Sequence, residues 1–271
     1  MHLSAEERAQ RARYNEAYLQ GELAAVRAVN RHVCGCDYGA TSWTTRREAD
    51  RIAAALGLGP GTRLLDLGSG AGWPGVYFAR EFGCEAVMVD LPEAGLRIAG
   101  ERAASDGVAA RCRVAMADAA ALPFGDGEFA LIHHADLLCC LVRKKEVLAE
   151  CRRVAGPGAR MIFTVISVAP GLRPGDRARA AASGPEFVET ETGYRDLLAA
   201  AGWRIGAVHD LTADFIAATR RSLEAHERRR EALSELLGEA EMARRDGASR
   251  ARIAALSARH LRREMFVVGA A

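Results

Sequence analysis

The pattern of apolar residues along the chain changes at Arg63. Before this residue, apolar positions recur every three to five residues among charges, and this spacing predicts helices. After it, short apolar runs alternate with helical stretches, as in βα units around a buried parallel sheet. Six runs are predicted as strands and a seventh closes the chain: RLLDLG, EAVMVD, ARCRVAMAD, FALIHH, RMIFTVIS, WRIGAVHDL and EMFVVGA. These elements predict an α/β fold with a doubly wound, Rossmann-like sheet.

Several segments lie outside this strand pattern. Residues 1–45 are predicted as an N-terminal helical cap, and residues 46–271 as the domain that holds the sheet. Residues 168–191 are rich in proline and glycine and are predicted as a long loop, which we assign to the active site because long loops in compact domains usually serve a function. Residues 213–263 are charged and predicted as a helical insertion before the last strand, interrupted near Gly247.

Composition and charge exclude several classes of protein. The 271 residues contain 37 Lys and Arg against 35 Asp and Glu, and a net charge of +2 does not predict a nucleic-acid-binding surface. No apolar run is long enough for a membrane span, and the charged first twenty residues do not resemble a secretion signal. Seven scattered cysteines without a CxxC pair favour a reducing, cytoplasmic location, and we expect no bound metal.

The strongest local signal is the segment LLDLGSGAGWPG, at residues 64–75. A buried strand is followed by Gly68, Gly70 and Gly72, which allow a sharp turn and let a ligand approach the backbone. Dinucleotide sites have the spacing GxGxxG, whereas the spacing here is GxGxG, preceded by Asp66. Because a carboxylate would repel a diphosphate and can accept hydrogen bonds from an ammonium group, the turn predicts a ligand without phosphate.

Two further strands end in acidic residues. Asp90 follows EAVMV and is positioned to bind both hydroxyls of a ribose, with Leu91 against a base. Asp118 follows the third run, where the backbone N–H of Ala119 can read the edge of an adenine; Asp118 can equally cap a short helix. These strand ends are predicted to meet one nucleoside at the carboxyl edge of the sheet.

Residues 64–165 resemble the class I S-adenosylmethionine-dependent methyltransferases, of the type that acts on small molecules such as quinones and natural products. The resemblance is carried by LDLGSGAG, Asp90, DAAALPFGDGEFALI and AECRRVAGPGARMIF. It implies a seven-stranded, mostly parallel sheet with an antiparallel last strand, and S-adenosylmethionine as cofactor. It also implies that the methionine part of the cofactor is held by Asp66, Gly68, Ser69, Gly70, Gly72 and the backbone of His134, and the ribose and adenine by Asp90, Leu91, Asp118 and Ala119. Trp73 departs from the small or polar residues usual after the glycines and is expected to narrow the pocket wall.

Candidates for catalysis lie at the end of the fourth strand and directly after it. His133 and His134 alternate, so only one of them can face the cleft, and His134 is the better candidate for a general base because it lies closer to the cleft edge. Both can also be packing residues. Asp136 either orients such a histidine or caps the next helix.

The remaining candidates have a structural interpretation beside the functional one. Cys139 and Cys140 lie in an apolar run and are predicted to be buried. Aromatic residues before the sheet either cover the active site or pack as part of an amphipathic helix: Tyr14, Tyr18, Tyr38 and Trp43. Three loop arginines can meet an anionic acceptor, although a solvated loop is favoured: Arg173, Arg177 and Arg179.

The predicted activity is methyl transfer from a sulfonium to a nitrogen, oxygen or carbon nucleophile of a small molecule by in-line displacement. The alternatives are an NAD(P)-dependent oxidoreductase on the same sheet, and a non-catalytic partner protein that retains the cofactor pocket. We expect a small-molecule acceptor and neither nucleic acid nor membrane as partner; the sequence leaves the oligomeric state open, with a homodimer among the alternatives.

Overall fold

The computed structural model describes residues 4–37 and 41–270 and contains a seven-stranded sheet. The strands are β1 (Arg63–Leu67), β2 (Glu85–Asp90), β3 (Cys112–Met116), β4 (Phe129–Ala135), β5 (Ala155–Val168), β6 (Trp203–Asp210) and β7 (Leu261–Ala270). Their order is β3-β2-β1-β4-β5-β7-β6; the first five pair in parallel, and β7 runs antiparallel to both β5 and β6. This confirms the predicted sheet with its antiparallel last strand.

Helices cover both faces of the sheet. They are α1 (Ala5–Gly21), α2 (Ala24–Cys34), α3 (Arg46–Leu56), α4 (Gly75–Phe82), α5 (Glu93–Ser105), α6 (Lys144–Val154), α7 (Pro174–Ser183), α8 (Tyr194–Ala200), α9 (Thr212–Arg228), α10 (Arg230–Leu237) and α11 (Glu239–Ser257). On one face Ile52 of α3 and Phe78 of α4 pack on Leu64, and on the other Leu148 of α6 and Leu198 of α8 lie in the same apolar cluster as the central strands. Burial on both faces explains why the central strands are apolar almost throughout.

The first two helices, α1 and α2, contact different parts of the structure. Ser4 accepts a hydrogen bond from the Glu7 amide while the Glu7 side chain accepts one from the Ser4 amide, a capping box that starts α1. Asn15 Oδ1 then accepts a hydrogen bond from the Ala94 amide at the start of α5, so α1 lies beside the carboxyl end of β2. The apolar side of α2, carrying Val29, packs in one cluster with Ala218 of α9, which joins the cap to the helices before β7.

Two predicted segments differ in the structure. The predicted loop over 168–191 contains a full helix, α7, with Pro174 in its first turn, where proline lacks only an N–H that has no partner within the helix. The predicted insertion over 213–263 ends at Ser257, and Arg263 lies on β7 instead, while Gly247 does not interrupt α11. Tertiary packing of the surrounding helices overrides both local signals. No described helix is long and apolar enough to cross a membrane.

Candidate functional site

A cavity of about 280 Å³ opens at the carboxyl ends of β1, β2 and β4. Its walls combine the turn after β1, the ends of β2, β3 and β4, and a cover formed by α1 and the residues before α3. The main lining segments are residues 68–71, 89–92, 117–119, 135–137 and 41–43. Open α/β sheets bind ligands at this edge, because the turns that follow the strands point away from the packed core there.

The glycine turn after β1 forms the floor of this cavity. Gly68 and Gly70 both have positive φ, at 64° and 52°, a conformation that side chains with a Cβ rarely adopt. The amides of Gly68 and Ser69 donate to the Val89 carbonyl at 2.8 and 3.2 Å, which ties the turn to the end of β2. Ser69 Oγ is buried and has no hydrogen-bond partner among the described residues, so the turn presents an unsatisfied hydroxyl.

Asp90 lies at the junction between this turn and β2. Its carboxylate accepts hydrogen bonds from the amides of Gly70 and Leu91, each at 2.7 Å, and from the Tyr18 hydroxyl at 3.4 Å. Burial raises the pKa of Asp90 to about 6, although the backbone donors act in the opposite direction. The carboxylate and Leu91 both line the cavity, and their contacts with a ribose and a base stay predictions.

Asp118 also lines the cavity, but its carboxylate is already engaged by the protein. One oxygen accepts a hydrogen bond from the Ala120 amide at 2.9 Å, and the other pairs with Arg143 at 2.7 Å. Arg143 lies 3.0 Å from Glu7 as well, so this arginine, at the start of α6, joins α1 to the residues after β3. Asp118 thus closes an Asx turn and does not cap a helix, because a turn at residues 119 and 120 replaces the predicted short helix; Ala119 lies at the cavity wall.

Two residues predicted at the cofactor, Asp66 and Gly72, lie behind the cavity wall. Asp66 Oδ1 is 2.7 Å from His133 Nδ1, and both side chains are buried below the turn. A Cβ on Gly72 would meet Val76 and Ala99, so this glycine serves the packing of α4 and α5. The prediction that Asp66 and Gly72 contact the methionine part of the cofactor is therefore not supported by their positions.

His134 points to the opposite face from His133, as strand alternation requires, but it does not reach the cavity. Its ring stacks on Phe163 with centroids 4.6 Å apart, and the side chain has no exposed area. Burial, with a smaller contribution from His133, lowers the pKa of His134 to about 3, so the imidazole is neutral at physiological pH. Helices cover both faces of β4, and for this reason neither histidine occupies the position of a general base.

Asp136 is the acidic residue that does reach the cavity from β4. It adopts a left-handed backbone conformation, with φ of 49°, and both of its carboxylate oxygens lie 3.1 Å from Arg263 Nε. Arg263 also forms two hydrogen bonds with Glu48, at 2.8 and 2.9 Å. The Asp136 side chain neither orients a histidine nor caps a helix, which corrects both alternatives drawn from the sequence. Arg263 and Glu48 were not predicted, because no local pattern links residues so far apart in the chain.

This cluster of two acids and one arginine is almost wholly buried. The Arg263 side chain is 1% exposed and that of Glu48 is 6% exposed. Burial acts to lower the pKa of Arg263, but the carboxylates of Asp136 and Glu48 outweigh it and hold the pKa above its usual range. The arginine therefore fixes the position of Asp136 at the cavity edge with a permanent positive charge.

Aromatic and sulfur-containing side chains complete the cover. Tyr14, Tyr18 and Trp43 line the cavity, as does Trp73, whose indole N–H donates to the Thr44 carbonyl at 2.8 Å; Tyr38 lies outside the described residues. Cys139 is buried as predicted. Cys140 is only partly buried and reaches the cavity, where it accepts a hydrogen bond from the Tyr14 hydroxyl at 3.3 Å. The three loop arginines considered for an anionic acceptor, Arg173, Arg177 and Arg179, do not line it.

Comparison with known proteins agrees with this geometry. The family described as "Methyltransferase domain" matches residues 64–158, a segment that begins in β1, ends in β5 and includes both the glycine turn and Asp90. Residues 64–158 of the chain therefore match a methyltransferase domain. This confirms the family resemblance that the motifs predicted.

The methyltransferase domain has relatives with different substrates in their names. It is 34% identical to a ubiquinone/menaquinone biosynthesis C-methyltransferase from Azotobacter vinelandii, over 41% of this chain and 45% of that protein. It is 28% identical to a 27-O-demethylrifamycin SV methyltransferase from Amycolatopsis mediterranei, over 62% of this chain and 63% of that protein. The matched segments thus span between about half and two thirds of these relatives.

Solved structures share the fold of the methyltransferase domain at low sequence identity. A putative sarcosine dimethylglycine methyltransferase from Galdieria sulphuraria superimposes with a TM-score of 0.74, at 18% identity over 82% of each chain. The [4+2]-cyclase SpnF superimposes with a TM-score of 0.70, at 20% identity over 94% of this chain and 96% of that one. The fold is therefore shared between methyltransferases and an enzyme named for another reaction.

Proposed function

We propose that this protein transfers a methyl group from S-adenosylmethionine to a nitrogen, oxygen or carbon atom of a small molecule. The observation that carries the proposal is the convergence of the Gly68–Gly70 backbone and the Asp90 carboxylate on one cavity at the carboxyl edge of the sheet. A phosphate-free nucleoside suits this arrangement, because the acid would repel a diphosphate but can accept hydrogen bonds from a ribose.

Different cavity residues would contact different parts of such a cofactor. The turn at Gly68, Ser69 and Gly70 would hold the amino-acid part, and the unsatisfied Ser69 hydroxyl supplies a polar contact there. Asp90 would bind the ribose, with Leu91 and Ala119 against the adenine. When bound, the cofactor supplies an electrophilic methyl group on a sulfonium, which is already a good leaving group.

The chain itself then has to align the acceptor with that methyl group. Alignment of two reactants can contribute on the order of 7–11 kcal/mol to the lowering of a barrier. Tyr14 and Trp43 line the cavity as part of its cover, and Asp136 replaces His134 as the ionisable group that the end of β4 presents. Its carboxylate, held by Arg263, can accept a hydrogen bond from an N–H or O–H of the acceptor and so orient it.

Calorimetry tests the cofactor site directly. We expect S-adenosylhomocysteine and S-adenosylmethionine to bind the purified protein with one site each, whereas NADH should not bind; a cofactor at a hundred times its Kd would also stabilise the fold by about 2.7 kcal/mol. Binding of NADH without S-adenosylhomocysteine would reverse the assignment in favour of an oxidoreductase.

A second assay separates a methyltransferase from a protein that only binds the cofactor. Release of S-adenosylhomocysteine is measured while a panel of small-molecule amines, phenols, carboxylic acids and enols is supplied as acceptors. Acceptor-dependent release supports the proposal. Tight cofactor binding with silence across all nucleophile classes would favour a non-methylating role, such as that of the cyclase which shares the fold.

A further inference from the structure

Arg252 of α11 projects into the cavity without an ionic partner. Its Nε atom is buried and has no hydrogen-bond partner, and no carboxylate lies within ion-pair distance of the side chain, among residues 4–37 and 41–270. The guanidinium carbon of Arg252 lies 5.2 Å from the centroid of the Trp43 ring, so the guanidinium lies over the face of the indole in a cation–π contact. A partly desolvated cation that lacks a paired anion is costly, and a ligand that brings an anion would offset this cost.

The other two arginines that line the cavity in the described part of the chain, Arg143 and Arg11, have side-chain partners within the protein. Arg143 pairs with Glu7 and Asp118. Arg11 lies at the far end, where it donates to Met116 Sδ at 3.3 Å beside the edge strand β3. In the described part of the chain, Arg252 is thus the cavity arginine that combines a buried unsatisfied donor with an aromatic support.

The position of Arg252 is on the acceptor side of the cavity. Arg252 lines the same cavity as Asp136, the acid at the end of β4. Burial lowers the pKa of Arg252, and the Asp136 carboxylate acts in the opposite direction. The cofactor residue Asp90 lies at the end of β2, on the other side of β1 in the sheet. A group that reaches Arg252 therefore belongs to a ligand near the reacting methyl rather than to the nucleoside.

A second cavity of about 300 Å³ gives such a ligand additional room. Arg252 and residues 41–43 line both cavities, so they form the boundary between them. The second cavity lies between α2, α9, α10 and α11, and its two other arginines, Arg244 and Arg245, pair with Glu241. The other acids of α11, Glu239 and Asp246, pair with Arg230, so the acids of this helix are engaged by residues other than Arg252.

We propose that Arg252 binds an anionic group of the acceptor, a carboxylate or a phosphate, on the face of Trp43. This assignment rests on the proposed methyltransferase function and narrows its substrate class to acidic small molecules. The guanidinium fork can donate two parallel hydrogen bonds to either group, which would fix the orientation of the acceptor relative to the methyl.

The test uses three probes of similar size: benzoate, phenyl phosphate and neutral benzamide. Each is titrated calorimetrically into the wild-type protein, with and without saturating S-adenosylhomocysteine. Arg252→Gln is compared with Arg252→Lys, which keeps the charge, and with Arg250→Gln, a matched control in which an exposed arginine of the same helix is changed. Cofactor affinity is measured for every variant as a check on folding.

We expect at least one anionic probe to bind the wild type and to lose affinity by about tenfold to a hundredfold in Arg252→Gln. Arg252→Lys should bind with intermediate affinity, whereas Arg250→Gln and the affinity for benzamide should be unchanged. The relative affinities of benzoate and phenyl phosphate assign the group as carboxylate or phosphate.

Two outcomes would overturn the proposal: equal affinity of both anions for wild type and Arg252→Gln, or no binding of either anion to the wild type. Failure of the proposed function is recognised separately, because S-adenosylhomocysteine would then not bind while the titrations without it still report on Arg252.

Discussion

Asp90 Oδ2 lies 2.7 Å from the backbone nitrogen of Gly70, across the gap between the ends of β2 and β1. This hydrogen bond holds the glycine turn in place through a half-buried carboxylate, so the acid organises the cavity as well as lining it. The same carboxylate would have to bind the ribose. Its protonation state therefore links the shape of the site to pH.

Affinity for S-adenosylhomocysteine should fall as the pH decreases below about 6, the pKa to which burial raises Asp90. Above this pH the carboxylate is ionised and accepts hydrogen bonds from the ribose; below it, the proton removes that capacity, and Kd should rise by up to about tenfold per pH unit. Calorimetry between pH 5 and 8 measures the effect. Asp90→Asn should bind about tenfold to a hundredfold more weakly at pH 8 and show no such dependence; a pH-independent Kd for the wild type would contradict the assignment.

Gly70→Ala should weaken cofactor binding, and Gly61→Ala should not. Both glycines have positive φ, at 52° and 82°, so both substitutions introduce comparable backbone strain of about 1–2 kcal/mol. A Cβ on Gly70 would lie 2.9 Å from the Tyr18 ring, whereas one on Gly61 meets no atom within 4 Å. Chemical unfolding and calorimetry on both variants separate strain from contact. Equal cofactor affinity of the two variants would show that the turn backbone does not approach the ligand.

His134→Phe should leave cofactor affinity and any acceptor-dependent turnover close to wild type. Both ring nitrogens of His134 are buried without partners in the described residues, and the ring already stacks on Phe163, so an apolar ring fits the same environment. Removal of unsatisfied polar atoms should raise the free energy of unfolding by about 1 kcal/mol. A loss of turnover by more than a hundredfold in the folded variant would restore His134 as a catalytic candidate.

Arg263→Met should destabilise the protein by about 3–5 kcal/mol, because it leaves the buried carboxylates of Glu48 and Asp136 without their counter-charge. Arg262→Met is the matched control: Arg262 is the exposed neighbour on β7, and its replacement should change stability by less than about 0.5 kcal/mol. Denaturant unfolding followed by circular dichroism measures both. Similar stabilities of the two variants would mean that the cluster does not contribute to the fold.

The features that sequence predicted correctly are those set by neighbours in the chain. Apolar runs predicted the strands, and glycines at alternate positions predicted the turn after β1. The position of Asp90 at the end of β2 was predicted from the apolar run that precedes it. The histidines show the limit of that reasoning. Alternation established that His133 and His134 face opposite sides of β4, but an alternating pattern does not reveal that helices cover both sides, so the inferred cleft position of His134 was wrong.

The sequence by itself determined the class of fold, the turn that forms the floor of the cavity and the acid at the end of β2, because local periodicity and spacing encode them. Only the tertiary structure decided which side chains share the cavity. Glu48 and Arg263 stand 215 positions apart and pair because β7 inserts beside β5, and Arg252 meets Trp43 because the helices before β7 fold back over the residues before α3. Such contacts depend on the order of the strands in the sheet and on how the helices pack over them. Neither the strand order nor the helix packing can be predicted from a short-range sequence pattern.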